Sequence, residues 1–226
     1  MASPVPRVSV PDHVFAQLRE AILLGRYRPG ERLPPQRALA AELEVNMASV
    51  REALKRLEQL RLVEVRHGDA TRALDWRRSG GLEALVLGGG VDEPFARDLF
   101  EARRLLLVEA ARLAAVRRSD EQARSLRELA SAFAAAGDDS ARLRVDWAFM
   151  AGLVEAAGNL VFQLIMNSVR ELYLKRAEAF TALVAHGGSH VGLYARAAAA
   201  VAAEDAQAAA DAIDALATAQ AGAMLR

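Results

Sequence analysis

Cysteine is absent from the 226 residues. Its absence excludes disulfides, thiol nucleophiles and zinc–thiolate sites. Aromatic residues make up only 5% of the chain, which argues against a sandwich or barrel core. Neither sign of charge is in excess, with 29 Lys and Arg against 29 Asp and Glu. Net charge therefore gives no reason to expect nucleic acid, and any such claim needs a motif. No run of 18 apolar residues without charges occurs, and Met1–Pro6 lacks a basic stretch leading into an apolar core. The expectation is a cytoplasmic chain with no membrane partner.

What remains is a chain that is 53% hydrophobic and rich in alanine, a mixture that favours packed helices. The length allows one large domain or two modest ones. The periodicity divides it at about residue 75. Pro11 and Asp12 open a helix with Val14, Leu18 and Ile22 spaced four apart, and Gly25 with Pro29-Gly30 closes it. A shorter helix follows Pro34-Pro35, with Leu39, Ala40 and Leu43 inward. In the stretch LEVNMASVREALKRL, Asn46 is placed to cap a third helix. Its apolar stripe is Val50, Ala53, Leu54, Leu57 and Leu60, while Met47, Arg51 and Lys55 share an outward edge. Leu62–Arg66 alternates as a strand does, residues 67–70 turn, and Thr71–Leu74 returns. Three helices and a hairpin predict a winged helix-turn-helix over 1–75.

Residues 76–92 are glycine-rich and predict a linker holding a short apolar helix. Helical patterns then fill about 93–118, 120–136, 139–157, 159–184, 189–203 and 205–224, with breaks at Gly137, Gly158-Asn159 and Gly187-Gly188. The fold class predicted is mostly α: a winged helix-turn-helix followed by an antiparallel helical bundle over 93–226.

The stretch GRYRPGERLPPQRALAAELEVNMASVREALKRLE resembles the DNA-binding half of GntR-type bacterial transcription regulators. That half runs G-x-x-x-P-G-x-x-L-P, an L-A helix, then V-R-E-A-L-x-x-L-E. FEARRLLLVEAARLAA and DWAFMAGLVEAAGN are similar to the helical ligand-sensing (FCD-type) domain of the FadR subfamily. The resemblance implies a homodimer joined through the helical domain, reading an inverted-repeat operator in double-stranded DNA. It also implies a small organic acid or acyl thioester as effector. By the same resemblance Arg37 and Arg51 match DNA-contacting arginines, Asn46 a small polar residue on phosphate, and His67 and Gly68 the tip of the wing. Ser49 and Lys55 are added from the helix face alone. Three positions depart from the pattern. Met47 stands where the family usually has a guanine-reading arginine, Arg61 replaces the glycine ending the recognition helix, and Ala70 replaces a wing glycine. One lost bidentate arginine removes roughly 1–3 kcal/mol of base discrimination.

In the helical half, Asp146 interrupts the stripe Leu143, Trp147, Met150 and Val154. A buried carboxylate without a partner is costly, so one is expected. Arg103 lies between Leu99 and Leu106, Tyr194 between Val191 and Ala198, and Asn167 follows Leu164. These groups suggest a polar-lined cavity in which Arg103 takes a ligand carboxylate. An internal Arg103–Asp146 salt bridge, with Tyr194 bonded to backbone, is the plainer reading. Many members of the family hold a divalent metal there with one aspartate and three histidines. Asp146 matches the aspartate, but Met150, Tyr194 and Leu216 fall on the histidine positions once Asp205 is set on the family's acidic residue. No metal or other cofactor is therefore expected, and His186 and His190, beside Gly187-Gly188, are expected at the surface. An enzyme is not expected, because no nucleophile with an adjacent base and no phosphate-cradling loop occurs. The alternative to a sequence-specific regulator is a helical adaptor or architectural protein with weak, non-specific DNA binding.

Overall fold

The computed structural model describes residues 9–66, 70–81, 93–175, 180–185 and 187–225. Chain contacts divide it into two compact units, Met1–Val91 and Asp92–Arg226.

In the first unit α1 (Val10–Leu23) starts at a capping box. The Ser9 hydroxyl accepts from the Asp12 amide, and Asp12 reaches back to Ser9. Short α2 (Gln36–Glu42) begins after Pro35 and α3 (Met47–Gln59) after Asn46. The predicted strand Leu62–Arg66 shortens to β1 (Val63–Glu64), paired antiparallel with β2 (Arg72–Ala73) in the register Val63 to Ala73 and Glu64 to Arg72. The segment after α1 adds to the far side of β2. Gly30 N–H donates to Ala73 O at 2.8 Å, Ala73 N–H to Glu31 O at 2.9 Å and Leu33 N–H to Thr71 O at 2.8 Å. Gly30 enters that pairing at φ +82°, a conformation costly for any residue with a Cβ. Val14, Leu18 and Ile22 of α1 close one core with Leu39 of α2, Val50, Leu54 and Leu57 of α3, and Leu62, Val63 and Ala73 of the hairpin. Trp76, which opens the short helix α4 (Trp76–Ser79), packs against this core. The short apolar helix predicted further along the linker lies outside the described residues.

The second unit consists of α5 (Glu93–Arg117), α6 (Asp120–Ala135), α7 (Asp139–Ala156), α8 (Leu160–Lys175), a 3-10 turn at Thr181–Leu183, α9 (Gly187–Ala202) and α10 (Ala206–Met224). Side-chain caps start four of these helices: Ser119 for α6, Asp138 for α7, Asn159 for α8 and Asp205 for α10. Packing pairs α5 with α10, α10 with α9, α9 with α6, α6 with α7 and α7 with α5, so five helices close a ring. Small side chains permit this close approach. Ala110, Ala111, Ala114 and Ala115 on α5, and Ala209, Ala210 and Ala217 on α10, are all buried.

Two expectations from periodicity need correcting here. The helix predicted to run to 184 ends at Lys175, and Thr181–Leu183 forms the separate 3-10 turn. On α8 the apolar stripe Leu160, Val161, Leu164 and Ile165 faces outward, 39–66% exposed.

Candidate nucleic-acid interface and buried polar cluster

The rotation of α3 is fixed by its buried stripe, Val50, Ala53, Leu54 and Leu57. That leaves Asn46, Met47, Arg51 and Lys55 exposed along the opposite edge, and Arg37 exposed on α2. The start of α3 is held by Asn46, whose Oδ1 accepts from the Ser49 amide at 2.8 Å. Its far end is tied to α1. Arg56 donates to Asp12 at 2.6 Å and stacks 4.1 Å above the Phe15 ring. Ser9 and then Arg56 hold the Asp12 carboxyl below its usual range. The outer edge is thus a rigid ridge carrying two cations. The expectation for Ser49 is corrected. It is buried, and its hydroxyl donates to Asn46 Oδ1 at 3.1 Å. One step of 100° past Ala48 carries it onto the core side. His67 and Gly68 lie outside the described residues.

Arg61, the residue expected to replace a helix-ending glycine, adopts φ +54° just after α3. Its backbone makes the bonds such a terminus requires, with Leu62 N–H donating to Leu57 O at 2.9 Å. A side-chain-bearing residue therefore sits in the left-handed region where glycine costs least.

In the second unit the sequence-predicted polar groups converge on one carboxylate. Asp146 on α7 is 1% exposed. Its Oδ1 accepts from the Tyr194 hydroxyl on α9 at 2.5 Å and from Gln220 Nε2 on α10 at 2.8 Å. Its Oδ2 accepts from the Tyr173 hydroxyl on α8. Gln220 Nε2 also donates to the Tyr194 oxygen at 3.0 Å. Burial first, and the Asp146 charge second, push both tyrosine hydroxyls far above their usual range. They are neutral donors at any ordinary pH. The Tyr194 ring is stacked on Phe133 with centroids 4.0 Å apart and meets Phe149 edge-on, which fixes where its hydroxyl lies.

Arg103 on α5 stands 3.9 Å from Asp146 Oδ2, an ion pair too long for a hydrogen bond. Its Nη1 and Nη2 are buried and make no hydrogen bond among the described residues, and the same holds for Gln220 Oε1. The Arg103–Asp146 salt bridge therefore exists, but the plainer reading of Tyr194 is corrected: its partner is the carboxylate rather than backbone. Met150 is buried one turn along α7 from Asp146, and Leu216 is buried on α10. Asn167 is corrected, since it is exposed on α8. His190 is corrected in the opposite sense. Because α9 begins at Gly187, His190 falls one turn before Tyr194 on the inner face and is buried. His186 lies outside the described residues.

The donor set does not fit a divalent metal. Asp146 is surrounded by two phenols, an amide and a guanidinium, and its oxygens are already engaged. Among the described residues no group of three or more His, Asp or Glu side chains could hold an ion. Tyr173 and Gln220 escaped the sequence reading. Gln220 carried a usable signal, because it interrupts the buried run Ile213, Leu216 and Ala217 just as Asp146 interrupts its own.

The sequence matches the bacterial regulatory proteins of the gntR family over residues 11–72 and the FCD domain over residues 98–219. The chain belongs to the GntR family. It is of the FadR type, with an FCD domain behind the DNA-binding unit. This GntR-family chain is 39% identical over 182 residues to the HTH-type transcriptional regulator Mce2R of Mycobacterium tuberculosis, covering 79% of the chain and 76% of that protein. It is 30% identical over 155 residues to the HTH-type transcriptional regulator LutR of Bacillus subtilis, covering 67% and 69%. The fold is shared with Lar of Listeria monocytogenes at a TM-score of 0.64 and 16% identity, covering 97% of this chain and 98% of that one. The GntR family is one of DNA-binding regulators rather than enzymes, and the outward edge of α3 belongs to its DNA-binding unit. Among the described residues no helix is long and apolar enough to cross a membrane.

Proposed function

We propose that this regulator acts in the cytoplasm as a homodimer on an inverted-repeat operator, with α3 of each subunit in a major groove. A small carboxylate or acyl thioester bound around Arg103 changes its DNA affinity. The observation that carries the DNA half is the ridge of α3. A helix whose core stripe fixes its rotation presents Met47, Arg51 and Lys55 together, at the N-terminal turns that reach base edges in a groove. Twofold pairing of subunits would set the spacing of the two half-sites. The outward apolar stripe of α8 supports pairing through the helical unit, since four neighbouring large aliphatic residues are a poor surface for a lone chain.

Arg103 supports the effector half. A buried guanidinium with two unused nitrogens is unfavourable until an acceptor arrives, and a carboxylate or a thioester carbonyl supplies one. Met150, Tyr194 and Asp146 then border the bound head group. Asn167, exposed on α8, is left out of this set.

The test is an electrophoretic shift with the DNA flanking the protein's own gene. Sequence-specific retention is expected, with Arg51→Ala weakening it by roughly 1–3 kcal/mol per half-site. Purely salt-sensitive, sequence-blind retention would instead favour an architectural protein. A panel of short carboxylates and acyl thioesters should include one that alters retention by wild type but not by Arg103→Ala. Unchanged affinity of Arg51→Ala would defeat the docking scheme.

A further inference from the structure

We infer that Met47 is a specificity-determining residue that reads a thymine through its 5-methyl group. The inference rests on the docking of α3 proposed above.

Met47 is the first residue of α3 and is 40% exposed, although large apolar side chains are normally withdrawn from water. Among the described residues, the core of its own unit does not claim it. The core stripe of α3 starts at Val50, and Met47 lies outside the hydrophobic cluster of the first unit and the residues packed against it. Ala48, next in line, is exposed as well. The leading turn of the ridge is therefore apolar, and its first cation, Arg51, comes one full turn later.

In the major groove the C5-methyl of thymine is the apolar feature of the base edges, whereas guanine, cytosine and adenine offer donors and acceptors there. A thioether side chain cannot form the bidentate bonds that guanine rewards. It is long, unbranched and polarisable, so it can lie against a methyl group without a single fixed geometry. The asymmetry along the ridge then assigns two kinds of contact. Met47 faces a methyl group, while Arg51 and Lys55 face groups that accept hydrogen bonds.

The probe is a duplex recovered by in vitro selection from a randomised library with the full-length protein. Each thymine of the recovered half-site is then replaced by deoxyuridine, which removes only the methyl. Wild type should bind about fourfold more weakly when the contacted thymine is replaced, the size expected for losing the burial of one methyl group. Met47→Ala should bind the thymine and deoxyuridine duplexes equally, and selection repeated with Met47→Arg should recover guanine at that position. Both variants alter an exposed residue, and Arg51→Ala serves as a control that weakens both duplexes alike. Indifference of wild type to deoxyuridine at every thymine, or a selected half-site without thymine, overturns the assignment of Met47. A deoxyuridine effect that persists undiminished in Met47→Ala does the same. In those cases docking of α3 still stands. Recovery of no motif at all removes the docking scheme, and this inference with it.

Discussion

Replacing Tyr194 by Phe removes one hydroxyl from the centre of the helical ring and little else. The ring keeps its stacking on Phe133 and its edge contact with Phe149, so the aromatic packing is retained. What is lost is a donor to a buried charged oxygen at 2.5 Å and an acceptor for Gln220 at 3.0 Å. A hydrogen bond to a charged group contributes about 1.5–3 kcal/mol. Gln220 still donates to the same Asp146 oxygen, which keeps the loss within that range. The chain's two tryptophans make the measurement local, since Trp76 sits in the first unit and Trp147 in the second, its ring 4.9 Å from that of Tyr173. In a Trp76→Phe background, urea unfolding followed by fluorescence reports the helical unit alone. Tyr194→Phe should lower its stability by about 1.5–3 kcal/mol. Repeating the substitution on Asp146→Asn should shrink the loss by about 1 kcal/mol or more, because the charge is gone. A loss below about 0.5 kcal/mol, or one of equal size in both backgrounds, would refute the claim that this hydroxyl holds the carboxylate.

The same unit should weaken in alkali. Both hydroxyls are raised above the ordinary tyrosine value of 10, so the folded state keeps protons that the unfolded chain releases. The stabilisation is complete below about pH 10 and falls as pH rises beyond it, by about 1.4 kcal/mol per pH unit for each tyrosine. Urea midpoints measured by Trp147 fluorescence should be level at pH 7–9 and drop steeply from pH 10 to 11. The drop should halve in Tyr194→Phe, and an equal slope in that variant would contradict the assignment. In the first unit, Arg61→Gly relieves a left-handed residue that costs about 1–2 kcal/mol and adds glycine's entropic cost of roughly 0.5–1 kcal/mol. A net stabilisation of about 0.5–1 kcal/mol is expected, read from Trp76 in a Trp147→Phe background. A destabilised variant would mean that the Arg61 side chain contributes a contact worth more than the strain.

The DNA-binding unit was legible because its signals are local. Asn46 caps the turn that it opens, Pro35 starts α2, and the stripe from Val50 to Leu57 fixes which edge of α3 meets water. Ser49, assigned from the helix face alone, lies on the core side because it precedes Val50, the first residue of the buried stripe. The helical unit was harder, since the rule that apolar residues face inward fails on α8. The position of Asn167 after Leu164 suggests an inward amide, but the apolar stripe of that helix faces out. A stripe has the same period whichever side covers it. His190 failed for another reason. Gly187 and Gly188 begin α9 rather than break the chain, so His190 lies inside the helix one turn before the buried Tyr194. Asp146 was found because a lone carboxylate in an apolar stripe demands partners, and the partners came from three other helices that no local pattern connects.

That arrangement also bears on how an effector could exchange. The carboxylate at the centre is held by Tyr173, Tyr194 and Gln220, none of which carries charge at neutral pH, so the ring of helices needs no ion to close around it. Arg103 neutralises Asp146 from 3.9 Å but spends no hydrogen bond on it. An arriving acceptor can therefore take both guanidinium nitrogens without breaking a bond that the protein already makes. Its binding would be opposed by the entropy of association, by desolvation and by the attraction lost as Arg103 turned toward it. Had Arg103 been hydrogen-bonded to Asp146, the ligand would have had to replace a charge-assisted bond. The three neutral donors leave the cation in reserve, so holding the carboxylate and meeting the proposed ligand would fall to different groups.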